Sequence, residues 1–217
     1  MSKLKLVGMG PGSADYITQI AKESVQNAQI VIGAKRAIEL FSDFINGESL
    51  VLTAQNMKDG LQHGLDSAKK GKNVVILSTG DPGFSGLLGT ITKIAGKTVD
   101  LEVIPGVSSV QVCAARLCIR WDTAVLLSFH SDVSQEKKQA MVEALKKGKT
   151  VIVLPYCYSF TPEKIAEFLI SCGVDRRTPV SVCENLTLHN ERVVKSSLVG
   201  ILGGQFDKLC IMTVGAD

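Results

Sequence analysis

The stretch from Lys72 to Gly86, KNVVILSTGDPGFSG, constrains the fold of this chain more than any other. Its first half, Val74-Val75-Ile76-Leu77, is an unbroken apolar run. Such a run reads as a strand buried on both faces of a parallel sheet, because a strand with one wet face alternates. Its second half, Ser78-Thr79-Gly80-Asp81-Pro82-Gly83, continues neither a strand nor a helix. Gly80 admits backbone angles closed to other residues, Pro82 lacks an amide donor, and Gly83 permits close approach of another group. Helical spacing then runs from Leu87 to Ala95 and stops at Gly96, a glycine placed just past a helix end. A strand whose Gly-rich turn opens a helix is where open α/β sheets bind ligands. Taken alone, Gly-Asp-Pro-Gly reads equally well as a plain strand-to-helix connection.

The same grammar repeats along the chain. Lys3 to Met9 reads as a strand, Gly8-Met9-Gly10-Pro11-Gly12-Ser13 as its turn, and Ile17, Ile20, Ala21, Ser24 and Ala28 as one helix face. That turn is close to a dinucleotide fingerprint but fails three tests. Ser13 replaces the last glycine, Pro11 removes a donor from any phosphate cradle, and the second strand, Ile30-Val31-Ile32, ends in Gly33 without an acid for a ribose hydroxyl. Nor is there the Lys-Ser/Thr ending of a triphosphate loop. Met57 to Lys70 reads as an amphipathic helix closed by Gly71, and Asp100 to Ile104 as a strand leading into Pro105-Gly106-Val107-Ser108-Ser109. Ser108 reads as an N-cap for a helix over Ser109–Leu117, or as one of the hydroxyls and free amides that face a ligand at a helix start.

The pattern pauses at Arg120-Trp121-Asp122, which suggests an N-terminal α/β lobe over 1–119 and a C-terminal one over 120–217. Past the pause, strands are expected at Val125–Ser128, Thr150–Leu154, Val180–Cys183, Arg192–Lys195 and Leu209–Val214, with helical turns through Gly200–Phe206. Ser134 caps a charged helix ending at Gly148. Thr161-Pro162-Glu163 opens another, which Gly173 closes. Repeated strand–helix alternation makes the fold class α/β.

Composition removes several functions. The net charge is +3, with no run of five like charges, so neither a nucleic-acid tail nor a membrane anchor is supported. Aromatic residues at 5% argue against a stacking platform for single strands. No apolar run is long enough to cross a bilayer. The six cysteines sit mostly in apolar runs without close pairing and no signal peptide is evident, so they read as buried hydrophobes of a cytoplasmic protein. The histidines are scattered, and a protein metal site is not expected. Gly-x-Ser-x-Gly is absent and Cys157 has no evident histidine partner, so the chain does not read as a hydrolase.

Four motifs in this order and spacing resemble the tetrapyrrole methylase family, which transfers a methyl group from S-adenosyl-L-methionine. They are Gly8-Met9-Gly10-Pro11-Gly12 with Ile17-Thr18, Leu77-Ser78-Thr79-Gly80-Asp81-Pro82, Pro105-Gly106-Val107-Ser108-Ser109, and Glu184-Asn185-Leu186-Thr187. The resemblance implies two αβα lobes with the cofactor cleft between them, and a homodimer. Ile32-Gly33-Ala34-Lys35-Arg36, Ser108 to Gln111, Arg116-Leu117, Trp121-Asp122 and Ser128-Phe129-His130 are most similar to the cobalamin-pathway branch that methylates C5 of cobalt-precorrin-7. Ser131-Asp132 stands where that branch often has Gly-Arg, which removes one anion-binding arginine. The chain ends at Asp217, so the C15-methylating, decarboxylating domain fused to some relatives is expected as a separate partner.

Carried over by position, the resemblance assigns the cofactor to Gly80, Asp81, Phe84, Ser108, Ser109, Leu154 and Pro155. It places Pro11 and Gly12 beside the cobalt-corrin substrate, with Arg36, Arg116 and Arg120 as partners for its carboxylates, since a guanidinium matches a carboxylate bidentately. No obligatory catalytic side chain is expected; His130 and Asp81 are the candidates for assisting proton removal. The alternatives are a sibling methylase acting on another ring carbon or on uroporphyrinogen III, and a binding module without chemistry.

Overall fold

A computed structural model describes residues 4–96, 99–130 and 132–215. Lys3 and Ser131 of the readings above lie outside them. The chain divides into two units, Met1–Ser108 and Ser109–Asp217.

The first unit is built on five parallel strands: β1 (Leu4–Gly8), β2 (Ile30–Ala34), β3 (Glu48–Leu52), β4 (Val74–Ser78) and β5 (Leu101–Ile104). Their order is β3-β2-β4-β1-β5. Alternate residues of the apolar runs serve opposite faces. Leu4, Leu6, Ile30, Ile32, Val74 and Ile76 bury against α3 (Met57–Lys69) and α4 (Leu88–Ala95). Val7, Val31, Val75 and Leu77 bury on the other side against α1 (Gln19–Gln26) and α2 (Lys35–Leu40). All five β4 residues are buried, which is why that run does not alternate. The helix ends follow their residues: Thr18 caps α1 by accepting from the Ala21 amide, and Gly96 closes α4 at φ +55.

The second unit contains α5 (Ser109–Leu117), β6 (Val125–Ser128), α6 (Gln135–Lys146), β7 (Val151–Leu154), α7 (Pro162–Ser171), β8 (Pro179–Glu184), β9 (Arg192–Ser197) and β10 (Cys210–Val214). Its strands run in the order β6-β7-β10-β8-β9. Only β6 and β7 are parallel; β10 is antiparallel to both β7 and β8, and β9 is antiparallel to β8. One face buries Val151, Val153, Val180, Val182, Met212 and Val214 with Met141, Ile165 and Leu169 of α6 and α7. On the other, Cys113 of α5 lies with its Sγ 3.7 Å from that of Cys183 of β8.

The structure departs from the sequence expectation in four places. The units divide at Ser108, ahead of the pause at residue 120, and α5 falls in the second unit, where it packs on β10. Strand β3 and the short α2 were not expected; β3 is an edge strand with only Leu52 buried, so its hydrophobic signal is faint. The turns expected through Gly200–Phe206 reduce to a single 3₁₀ turn at Val199–Ile201, followed by Gly203 at φ +73. Cysteine burial holds for Cys113 and Cys183, whereas Cys118 is exposed at φ +56 beyond α5 and the other three are half-buried.

Candidate functional site

In the first unit the three Gly-rich turns leave the carboxyl ends of β4, β1 and β5, which are neighbours in the sheet. The chain passes from β1 to one side and from β4 to the other, so these ends flank the point where strand order reverses, the place where open α/β sheets receive ligands. The turns are joined backbone to backbone. The Met9 amide donates to Ser78 O at 2.9 Å, and the Gly80 amide to Gly10 O at 2.9 Å. A Cβ on Gly8 would stand 2.7 Å from Gly80 O, and one on Gly106 would stand 2.7 Å from Gly8 Cα, so only glycines allow this approach. The close approach expected at Gly83 is met there by Asp81 Oδ1, 3.1 Å from where a Cβ would stand, and is tighter still at Gly8 and Gly106.

Asp81 ties the turns together. Its Oδ1 accepts from the Gly83 amide at 2.8 Å and its Oδ2 from the Gly106 amide at 3.2 Å. The Phe84 amide donates to Asp81 O at 3.3 Å, and Ser78 Oγ accepts from the Leu87 amide at 3.1 Å, closing the loop onto α4. Gly80 stands at φ +65, and a Cβ there would meet only Ser108 Cα at 3.8 Å. Open space above a glycine flanked by turn amides fits a polar ligand lying against the backbone. The positive φ also makes a β-branched residue at position 80 a strained replacement.

Pro11 is half-buried and Gly12 buried in the first turn, and Arg36 Nη2 donates to Pro11 O at 3.0 Å. Arg36 therefore braces the turn itself. Ser108, the last residue of the first unit, is 8% exposed.

In the second unit, β7 stops at Leu154, whose carbonyl accepts from the Phe129 amide at 2.9 Å, and Pro155 is buried immediately after it. Ser109 opens α5. His130 is exposed after β6, and its amide donates to Ser128 Oγ at 3.2 Å. Arg120 pairs with Asp122 at 3.0 Å on the surface, and its guanidinium lowers the Asp122 pKa. Arg116 Nε donates to Glu191 Oε1 at 2.7 Å, while Glu191 Oε2 accepts from the Thr187 amide at 2.7 Å. All three arginines named from the sequence thus hold partners of their own unit. Burial above all pushes the Cys210 thiol up to about 12, so it is no nucleophile near neutrality.

The Arg116 hydrogen bond first, and the Thr187 amide after it, hold the Glu191 carboxyl below its ordinary range. A depressed carboxylate pKa contributes stability that is present above the unfolded value and is lost as pH falls through the folded one. Melting temperatures taken from about pH 5 downward are expected to fall more steeply for the native chain than for Arg116→Gln. Parallel profiles would show that the pair contributes nothing.

What sequence reasoning missed is the buried carboxylate at the end of β8. Glu184 is 1% exposed, and Asn185 and Thr187 stand at φ +51 and +70. The signal was the motif Glu184-Asn185-Leu186-Thr187, quoted for its family likeness without a role. Among the described residues no group of three or more His, Cys, Asp or Glu is arranged to hold a metal, and no helix is long and apolar enough to cross a membrane.

Comparison with known proteins fits this geometry. Residues 3–201 match the family model of tetrapyrrole (corrin/porphyrin) methylases. The chain is 37% identical over 213 residues to a probable cobalt-precorrin-7 C(5)-methyltransferase of Methanocaldococcus jannaschii, covering 98% of this chain and 97% of that one. It is 31% identical to the cobalt-precorrin-7 C(5)-methyltransferase of Salmonella typhimurium, covering 88% of each. Among solved structures, a cobalt precorrin-4 methyltransferase superposes with a TM-score of 0.81 at 25% identity over 98% of this chain and 94% of that one. A uroporphyrin-III C-methyltransferase from Thermus thermophilus, complexed with S-adenosyl homocysteine, shares the fold with a TM-score of 0.76 at 23% identity, over 98% of this chain and 92% of the other. The turns, the α/β units and these likenesses lead to one conclusion: the chain belongs to the tetrapyrrole methylase family.

Proposed function

We propose that this protein transfers the methyl group of S-adenosylmethionine to C5 of cobalt-precorrin-7 in cobalamin biosynthesis. The observation that carries the reading is the likeness, over 98% and 88% of this chain, to two proteins named for that reaction, 37% and 31% identical. The glycine turns at Gly80 and Gly106, held by Asp81, supply the surface against which a nucleoside lies, with Phe84, Ser108, Ser109, Leu154 and Pro155 as further contacts. Pro11 and Gly12 border the macrocycle. Arg36 acts there by bracing their turn, and Arg116 and Arg120 reach its carboxylates by exchanging Glu191 and Asp122 for them.

In the transfer, the macrocycle carbon forms the new bond to the methyl while the carbon–sulfur bond breaks, leaving its electron pair on sulfur. The sulfonium already activates the methyl, so the protein's task is alignment. Holding the reacting atoms about 3–3.5 Å apart supplies roughly 7–11 kcal/mol of the barrier. Both Asp81 oxygens are engaged by amides, so in this reading Asp81 shapes the turn and His130 is the residue left to assist proton loss. The reading extends to a cytoplasmic homodimer that shares its pathway with a separate C15-methylating decarboxylase.

The test is turnover with a panel: cobalt-precorrin-7, other cobalt-precorrins and uroporphyrinogen III, each with labelled adenosylmethionine. Label is expected in the first alone. Faster labelling of another acceptor would transfer the assignment to a sibling activity. Tight adenosylmethionine binding without label in any acceptor would point to a sensing module.

A further inference from the structure

The motif Glu184-Asn185-Leu186-Thr187 belongs to the family likeness but has no part in the function derived above. Glu184 is 1% exposed, and a carboxylate taken out of water is costly unless its lone pairs are matched. Here both oxygens are matched. Oε1 accepts from the Asp207 amide at 2.6 Å, and Oε2 accepts from Arg192 Nε. Arg192 Nη2 reaches on to Gln205 O at 3.4 Å. Asn185, held at φ +51, donates its amide to Leu209 O at 2.8 Å and its side-chain amide to Asp207 Oδ2. Glu184, Asn185 and Arg192 therefore grip residues 205–209 at Gln205, Asp207 and Leu209.

That segment leads into β10, the strand between β7 and β8. Cys210 is in register with Glu184 on one side and Met212 with Val153 on the other. Because β10 runs antiparallel to β7, the residues ahead of it lie beside the end of β7, where Leu154 and Pro155 are. Lys208 Nζ stands 5.4 Å from the centre of the Tyr158 ring, a side-chain contact from the gripped segment to the turn that follows Pro155. With Glu184 buried and Arg192 reaching it from the surface, the carboxylate's desolvation offsets much of the attraction, so the pair adds little net stability. A carboxylate with two donors in fixed directions does something apolar packing does not: it sets where a backbone lies.

We propose that Glu184 is a positioning residue for the methyl donor. It fixes residues 205–209, which in turn back the Leu154–Pro155 turn. The inference rests on the reading that this turn contacts adenosylmethionine. Glu184→Gln keeps the shape but replaces one acceptor by a donor, so either the Asp207 amide or Arg192 meets another donor. Arg192 is half-exposed, and Arg192→Met removes the same contact from the surface side.

The experiment measures adenosylmethionine Kd by calorimetry, KM and kcat with cobalt-precorrin-7, and melting temperature, on the full chain and these variants. For Glu184→Gln, Kd and KM for adenosylmethionine are expected to rise roughly tenfold with kcat within about twofold of native. Arg192→Met is expected to move them in the same direction, and the double variant to fall short of the product of the two single effects, because both changes remove the Glu184–Arg192 contact while Arg192→Met alone also removes the bond to Gln205 O. If Glu184→Gln fails to fold, Arg192→Met carries the test. A lower melting temperature with Kd and KM unchanged in the folded variants would overturn the proposal and leave a purely structural pair. A native chain that does not bind adenosylmethionine would instead overturn the functional reading on which the proposal rests.

Discussion

Gly106→Ala is expected to destabilise the first unit by about 3 kcal/mol or more, at the upper end of what overpacking does. The new methyl would lie against Gly80 O and 2.7 Å from Gly8 Cα, and both neighbours are main chain. Side chains swing aside cheaply, but these backbones end two strands of the same sheet and are held by the Met9 and Gly80 amide bonds. Urea unfolding at constant m-value measures the loss. Gly89→Ala is the control. Gly89 lies in α4 with nothing within 4 Å of an added Cβ, so alanine there is expected to raise stability by up to about 1 kcal/mol. One chemical change made twice in one protein thus has opposite signs. Equal effects at the two positions would show that the turns do not interlock.

Asp81→Ala is expected to weaken adenosylmethionine binding by tenfold or more, roughly what two turn amides left without their acceptor imply. The Gly83 and Gly106 amides would lose their partners, and the turns after β4 and β5 would lose the carboxylate joining them. Asp81→Asn keeps one oxygen and is expected to fall between the native chain and Asp81→Ala. Calorimetry against adenosylmethionine reads this directly. Native affinity in Asp81→Ala would remove Asp81 from the account of this turn.

The parts of the fold that were legible announced themselves through burial. β1, β2 and β4 lie in the middle of the first sheet, so hydrophobic selection acts on both their faces and leaves continuous runs. The edge strand β3, Glu48–Leu52, is under no such selection and carried only a faint signal. Helix ends were readable where the cap is a local bond, as at Thr161, whose Oγ1 accepts from the Lys164 amide, with Pro162 following. Strand direction in the second sheet was not readable, because β8, β9 and β10 follow one another without an intervening α-helix, and alternation alone does not say which of them pair antiparallel.

The candidate site divides the same way. Glycine turns show in sequence because few other residues serve there, and the conformational role expected of Gly80 is met at φ +65. Side-chain partners do not show, because they are set by chain folding across long separations. Arg36 finds Pro11, Asp81 finds the Gly106 amide, and Arg116 finds Glu191, each more than twenty residues away. A sequence motif marks a residue's type and neighbours; its charge partner is chosen by the fold.

The central claim is methyl transfer to one carbon of one substrate, and the position of the methyl tests it most directly. Cobalt-precorrin-7 is incubated with the protein and adenosylmethionine carrying a ¹³C methyl, and the product is isolated and mapped by NMR. A single labelled methyl on C5, with one equivalent of S-adenosylhomocysteine released, is the predicted result. Label on any other ring carbon, or S-adenosylhomocysteine release without label on the macrocycle, would contradict the account.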